Sequence, residues 1–153
     1  MVKKDKSLII IPIGIPGSGK STWCKEFIKN NPNYIRFCRD QYRIMLQFSQ
    51  FLDYRGEKLI TDMVYSDINI ALEADYNIIV DQTNCKAKYL NEFIKKYDYV
   101  ADINIKIFDI DINTAIERDL NRIATVGEEV ITRMFADYTN LMNTFDFSKY
   151  ALL

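Results

Sequence analysis

Gly14-Ile15-Pro16-Gly17-Ser18-Gly19-Lys20-Ser21 is the stretch that decides the fold. It fits G-x-x-x-x-G-K-[ST] without exception. Residues 8–13 before it are a short β-branched run and read as a buried strand. Residues 21–30 after it read as a helix, closed by Asn31-Pro32. Strand, glycine turn and helix in that order aim backbone N–H groups and a helix dipole at one point, which makes an anion site. Lys20 can reach the β- and γ-phosphates of a nucleoside triphosphate there, and Ser21 can ligate Mg²⁺. Gly14, Pro16, Gly17, Ser18, Gly19 and Thr22 complete the expected ATP-binding set. A chance glycine turn followed by Lys-Ser is the alternative, and the flanking strand and helix argue against it.

The alternation continues outward from this loop. Residues 34–38 read as a second strand, 40–48 as a short helix and 57–74 as a longer one. The longer helix has Leu59, Ile60, Met63, Val64, Ile68, Ala71 and Leu72 on one face. Residues 77–80 form a third buried strand that ends at Asp81, and residues 87–97 a helix. A fourth strand over 103–108 ends in Asp109, and 113–123 is helical. The last helix, 128–145, buries Val130, Ile131, Met134, Phe135, Tyr138, Leu141, Met142 and Phe145. The expected class is α/β, a parallel sheet of about four strands with helices on both faces. Ligands in such sheets sit beyond the carboxyl ends of the strands. Gly14, Cys38 to Asp40, Asp81 to Asn84 and Asp109 therefore mark the site.

The chain has 153 residues, which suits one domain. Its 20 Lys and Arg against 21 Asp and Glu leave a net charge of −1, so any nucleic-acid contact must be local. The three cysteines make no C-x-x-C pair and there is no histidine, which argues against zinc and for free thiols in a reducing compartment. Without histidine, a general base near neutral pH must be a carboxylate, lysine, tyrosine or cysteine. The start, residues 1–13, carries three lysines before its apolar run, but that run is short and holds Pro12, unlike a secretory signal. No stretch approaches the roughly 18 apolar residues of a membrane span. The expectation is a cytoplasmic protein. Abundant Ile, Asn, Lys and Tyr hint at an AT-rich, viral genome, which would make that the host cytoplasm.

Asp40 follows the second strand on the ligand side, where a hydroxyl acceptor would need a base. Arg43, three residues on, shares its helical face and suits a phosphate beside that hydroxyl. An exposed helix start with a solvated ion pair explains the same two residues equally well. Asp81 closes an apolar strand as a Walker B aspartate does and can hold Mg²⁺ with Ser21; Thr83 and Asn84 stand beside it, and a plain turn is the alternative. Arg118 and Arg122, at i,i+4, can neutralise charge on a transferred phosphoryl group, or form an ordinary solvated face. Asp53-Tyr-Arg-Gly56 has D-x-x-G spacing, but no buried strand precedes it and N-K-x-D is absent, so a GTPase fits poorly. Phe108-Asp109-Ile-Asp111 resembles a D-x-D phosphatase turn, yet too little chain follows, and Asp111 reads as a helix cap. Tyr42, Phe48, Phe51 and Tyr54 could stack on bases, with a core role the more usual one.

In order along residues 7–145, the chain resembles the phage-type polynucleotide 5′-kinase domain, a P-loop kinase. The resemblance rests on Gly14 through Trp23, Lys25-Glu-Phe-Ile, Asn31-Pro32, Arg39-Asp-Gln-Tyr-Arg43, Asp81-Gln-Thr-Asn84, Phe108-Asp109, Arg118-x-x-x-Arg122 and Val130-Ile-Thr-Arg-Met134. It implies a catalytic set of Asp40 as base for a 5′-hydroxyl, Lys20, and Arg122 on the ATP phosphates. It also implies Arg43 on the phosphate 3′ of the accepting nucleoside, Arg118 on the nucleotide and Thr83 near the acceptor. The domain would span 1–153, with a lid around 118–130 and no phosphatase domain. Two departures stand out. The lid helix starts with Val126-Gly127 where the family has Val-Pro, so it is expected to start loosely. Residues 48–56 match poorly, which leaves acceptor specificity open.

The implied reaction moves the γ-phosphate of ATP to the 5′-hydroxyl of DNA or RNA, with Mg²⁺, as in nucleic-acid repair. A small-molecule kinase for a nucleoside, nucleotide or sugar would use the same loop and base. A nucleotide-binding switch is a third reading. RNA or DNA, single strand or nick, and monomer or homo-oligomer are left open by the sequence.

Overall fold

The computed structural model describes residues 5–47 and 53–153. Phe48 and Phe51 of the expectations above lie outside the described residues, as do residues 48–52 of the poorly matched stretch.

Strand β1 (Ser7–Ile13) is the centre of the sheet. Its residues Ile9, Ile10, Ile11 and Ile13 are all buried, because both sheet faces are covered, as the continuous apolar run requires. Around it stand α1 (Lys20–Asn30), β2 (Tyr34–Cys38), α2 (Arg39–Gln47), α3 (Tyr54–Glu73) and β3 (Asn77–Asp81). Then come α4 (Ala87–Tyr97), β4 (Ala101–Ile107), α5 (Ile112–Leu120), α6 (Glu128–Thr144), a 3₁₀ turn over Phe147–Lys149 and β5 (Ala151–Leu152). The sheet is parallel throughout, in the order β2-β3-β1-β4-β5. It has five strands where about four were expected. The fifth is two exposed residues paired with Asn104 and Ile105, too short to leave a periodic signal.

Period-two alternation divides the core. Ile9, Ile11 and Ile13 pack with Ile60, Val64 and Ile68 of α3, Leu90 and Phe93 of α4, and Ile131 and Leu141 of α6. Ile10 and Ile79 face the other way, onto Cys24 with Trp23 and Phe27 of α1. The expected face of α3 is buried at Ile60, Val64, Ile68 and Ala71, while Leu59 is exposed. Asp53 caps α3, accepting from Gly56 N at 2.8 Å, so the helix starts three residues before the expected Glu57 and the D-x-x-G spacing is a cap. Asp111 caps α5 in the same way, as expected, accepting from Thr114 N at 2.9 Å.

The strand ends come out level. Ile13 is paired with Ile107 and Cys38 with Asp81. Gly14 N donates to Thr83 O at 3.1 Å, and Phe108 N to Ile13 O at 2.8 Å. The glycine loop is thereby tied to the ends of β3 and β4.

Candidate active site

The loop after β1 folds as its glycines permit. Gly17 has φ +83°, and a Cβ there would lie 2.7 Å from Ala115 O, so only glycine lets the loop pass this close to α5. Lys20 is buried and donates to Ile15 O at 3.1 Å. Burial pushes its pKa down from the usual lysine value, with Asp81 and others pulling the other way. A phosphate anion would favour its charged form. Ser18 Oγ is buried beside Gly14, without a hydrogen-bond partner among the described residues.

Beside the loop, Ser21 Oγ donates to Asp81 Oδ1 at 3.1 Å. The other carboxylate oxygen of Asp81 accepts from Arg36 Nε at 2.7 Å, and Arg36 Nη2 pairs with it as well. Arg36 was not singled out from the sequence. The signal was there: Arg36 and Cys38 alternate on β2, and an arginine inside a half-buried strand needs a carboxylate on the neighbouring strand's same face. A hydroxyl and a carboxylate side by side are hard oxygen donors, which fits Mg²⁺, an ion that keeps several waters and takes few protein ligands. Ser21 and Asp81 are the residues that would hold it.

Across the cleft, Asp40 and Arg43 do form their ion pair, Nη1 to Oδ1 at 2.6 Å, with Asp40 largely exposed. The solvated pair is half of the story only. Arg43 is clamped by Glu57 on α3, Nε to Oε1 at 2.7 Å and Nη2 to Oε2 at 2.8 Å. Arg39 also reaches Glu57 Oε2 at 2.8 Å and Thr61 at 2.9 Å. Hydrogen bonds from Arg43, and secondly from Arg39, hold the Glu57 carboxyl down at a pKa of about 2. Glu57 escaped the sequence reading because it sits in a first helical turn, where an acid needs no further reason.

Arg118 Nη1 donates to Gly17 O at 3.1 Å, which brings α5 onto the glycine loop. Arg122 lies 3.7 Å from the buried carboxylate of Asp119. Asp119 accepts from Val126 N at 2.9 Å and Gly127 N at 2.9 Å, so it stitches the segment between α5 and α6 shut. Gly127 therefore does not loosen the helix start. Its φ is +98°, which proline cannot adopt, and its N–H, which proline lacks, is in use.

The remaining candidates resolve simply. Asn84, at φ +54°, donates to Pro12 O and Val80 O and locks the turn that carries Thr83. Asp109 accepts from Tyr138 at 3.2 Å and Asp111 is a cap, so the D-x-D pair is structural. Tyr42 donates to Asp67 at 2.6 Å and packs on the core. The cysteines are free and buried, with Cys24 pushed up to about 12 and Cys85 to about 11 by burial. None can be an anionic base near neutrality. Among the described residues, no group of three or more acidic, histidine or cysteine side chains forms a metal cluster, and no helix is long and apolar enough to cross a membrane.

Pro16, Gly17, Gly19, Lys20, Ser21 and Thr22 of the loop open on one cleft of about 1140 Å³. The same cleft is lined by Asp40, Arg43, Asp81, Thr83, Arg118 and Arg122. A triphosphate in the loop and a hydroxyl at Asp40 would share one space.

These features define a P-loop kinase domain, a phosphotransferase type. The profile of the AAA domain family AAA_33 matches residues 9–141, and the chain belongs to that family. It is similar to a structure of the Pnkp1/Rnl/Hen1 RNA repair complex, at 28% identity and a TM-score of 0.88, over 95% of this chain and 48% of that one. It also shares its fold with a deoxyadenosine kinase from M. mycoides with bound dATP, at 18% identity and a TM-score of 0.57, over 95% of this chain and 88% of that one. Transcription factor bHLH140 of Arabidopsis thaliana is 24% identical over 125 residues, 81% of this chain and 12% of that protein. The chain thus spans about half of the repair-complex subunit and a small part of the plant protein.

Proposed function

We propose that the protein is an ATP-dependent polynucleotide 5′-hydroxyl kinase, which moves the γ-phosphate of ATP to the 5′-OH of DNA or RNA. The observation that carries this reading is the Asp40–Arg43 pair, 2.6 Å apart, in the cleft that holds Lys20. A carboxylate and a phosphate-binding cation side by side suit a hydroxyl with a phosphate nearby, which is the chemistry of a strand's 5′ end. Similarity to the RNA repair complex supports the same acceptor class.

ATP would bind with its phosphates in the 14–21 loop, ordered by the loop N–H groups and Lys20. Ser21 and Asp81 would hold Mg²⁺, which when bound would supply positive charge to offset that of the triphosphate. Asp40 orients the acceptor hydroxyl and accepts its proton as the oxygen attacks the γ-phosphorus. The bond from that phosphorus to the β-phosphate oxygen breaks, and ADP leaves. Arg43 binds the phosphate 3′ of the accepting nucleoside, with Thr83 beside it. Arg118 and Arg122 close over the transferred phosphoryl group from the lid around 118–130 and stabilise its charge. Catalysis here is placement plus electrostatics, since the protein forms no covalent bond.

The test is a set of three variants assayed with 3′-phosphorylated acceptors. Asp40→Asn should lower kcat by at least about 100-fold with ATP affinity retained. Arg43→Ala should raise the acceptor KM and spare the ATP KM, and Lys20→Ala should lose ATP. Equal loss of ATP affinity in Arg43→Ala would refute the role assigned to it.

A further inference from the structure

We propose that the cleft runs on past the acceptor hydroxyl as a track for single-stranded nucleic acid, with the Tyr89 ring as a stacking platform for a nucleotide downstream of the 5′ end. This rests on the acceptor reading above and extends it to residues outside the reacting centre.

A cleft built for a compact acceptor would end at Arg43. This one continues between α3 and α4, where Tyr65, Lys86, Tyr89 and Phe93 line the same space as Asp40. Tyr89 stands in the first turn of α4, just beyond the turn that carries Thr83. Its side chain is 59% exposed although it is aromatic and lies on the cleft wall. Its ring neighbours are cations: Lys86 Nζ and Lys88 Nζ each lie 5.9 Å from the ring centroid. Tyr65 and Phe93, stacked at 6.1 Å, form an aromatic wall alongside.

Both ammonium groups lie over this exposed ring on flexible stems, so they can swing aside to pair with phosphates while a base takes the face. It asks for no base identity, because every base has a π-face. It also needs no basic surface over the whole protein, in keeping with the net charge of −1. Five carboxylates line the same cleft, Asp40, Glu57, Asp81, Glu92 and Asp137. Glu57 is taken up by Arg39 and Arg43, Asp40 by Arg43 and Asp81 by Arg36, so Glu92 and Asp137 are the local repulsion that Lys86 and Lys88 have to offset.

The experiment compares a nucleoside 3′-monophosphate with a 5′-hydroxyl, 3′-phosphorylated hexanucleotide as acceptors for wild type, Tyr89→Ala and Tyr89→Phe. The hexanucleotide should have the higher kcat/KM in wild type. That preference should fall about tenfold in Tyr89→Ala, the loss of one base stack, and persist in Tyr89→Phe. Fluorescence anisotropy of a 3′-labelled hexanucleotide gives a readout free of turnover, and Tyr89→Ala should weaken binding by a similar factor. An unchanged preference together with unchanged hexanucleotide affinity in Tyr89→Ala overturns the track but leaves the 5′-kinase reading standing. A wild type that phosphorylates no nucleic acid sinks the kinase reading; loss of hexanucleotide binding in Tyr89→Ala would then still support the track, and retained binding would overturn it.

Discussion

Asp81 is held from two sides, by Ser21 at 3.1 Å and by Arg36 at 2.7 Å. The two contacts serve different ends. Ser21 ties the carboxylate to the phosphate loop, and Arg36 is the direct ion-pair partner of a buried charge that otherwise has only the field of Lys20. Removing Arg36 while Asp81 stays should therefore cost about 3–5 kcal/mol of stability, the usual loss on breaking a buried pair. We expect Arg36→Met to show this as a lower urea midpoint; a loss under about 1 kcal/mol would contradict the pairing. Glu57 makes a prediction in pH. Its pKa falls from 4.5 to about 2 on folding, so its contribution is present above pH 4.5 and drains away as pH drops toward 2. Glu57→Gln should flatten the stability profile across that acid window and leave its slope above pH 5 alone, as thermal melts at stepped pH would report. Neither pairing, Arg36 with Asp81 or Arg43 with Glu57, could be assigned from the sequence, for one physical reason. The partners lie on other elements, 45 residues away for Arg36 to Asp81 and 14 for Arg43 to Glu57. Asp40 and Arg43 were legible because helical spacing alone brings them together.

At the scale of elements, what could be read was local periodicity and what could not was local backbone. β2 and α4 come out over the residues that their apolar patterns predict. The expected start of α3 at Glu57 is three residues late because Asp53, whose D-x-x-G spacing the sequence reading sets aside, was not recognised as a cap. The segment between α5 and α6 was misread at Gly127 for a similar reason. Asp119, buried and without an apolar pattern to announce it, collects the N–H groups of Val126 and Gly127 and sets that glycine at φ +98°. The Val-Pro start that the resemblance implies is thus replaced here by a different lock. Gly127→Pro should break it, because the fixed φ is wrong and a charge-assisted hydrogen bond is lost, at a cost of about 2 kcal/mol or more. The expected readout is a lower Tm and a raised KM for ATP as Arg122 loses its place. A variant as stable and as active as wild type would show that Asp119 does not set the segment between α5 and α6.

For the whole molecule, one strand decides nearly everything. β1 is buried on both faces and pairs with β3 and β4, so the loop that follows it must open at the middle of the sheet's carboxyl edge. The motif and its apolar lead-in made that plain from sequence. The far edge was not readable, since β5 is two exposed residues and no pattern can form in two positions. The identity of the acceptor is read out by a single labelling assay. Wild-type protein is given Mg²⁺, γ-labelled ATP and a matched set of 5′-hydroxyl oligonucleotides, 5′-phosphorylated oligonucleotides, mononucleotides, nucleosides and sugars. Label should enter the 5′ end of the 5′-hydroxyl oligonucleotides and none of those already phosphorylated. Label confined to nucleosides, mononucleotides or sugars, or hydrolysis with no labelled acceptor, would contradict the 5′-kinase reading.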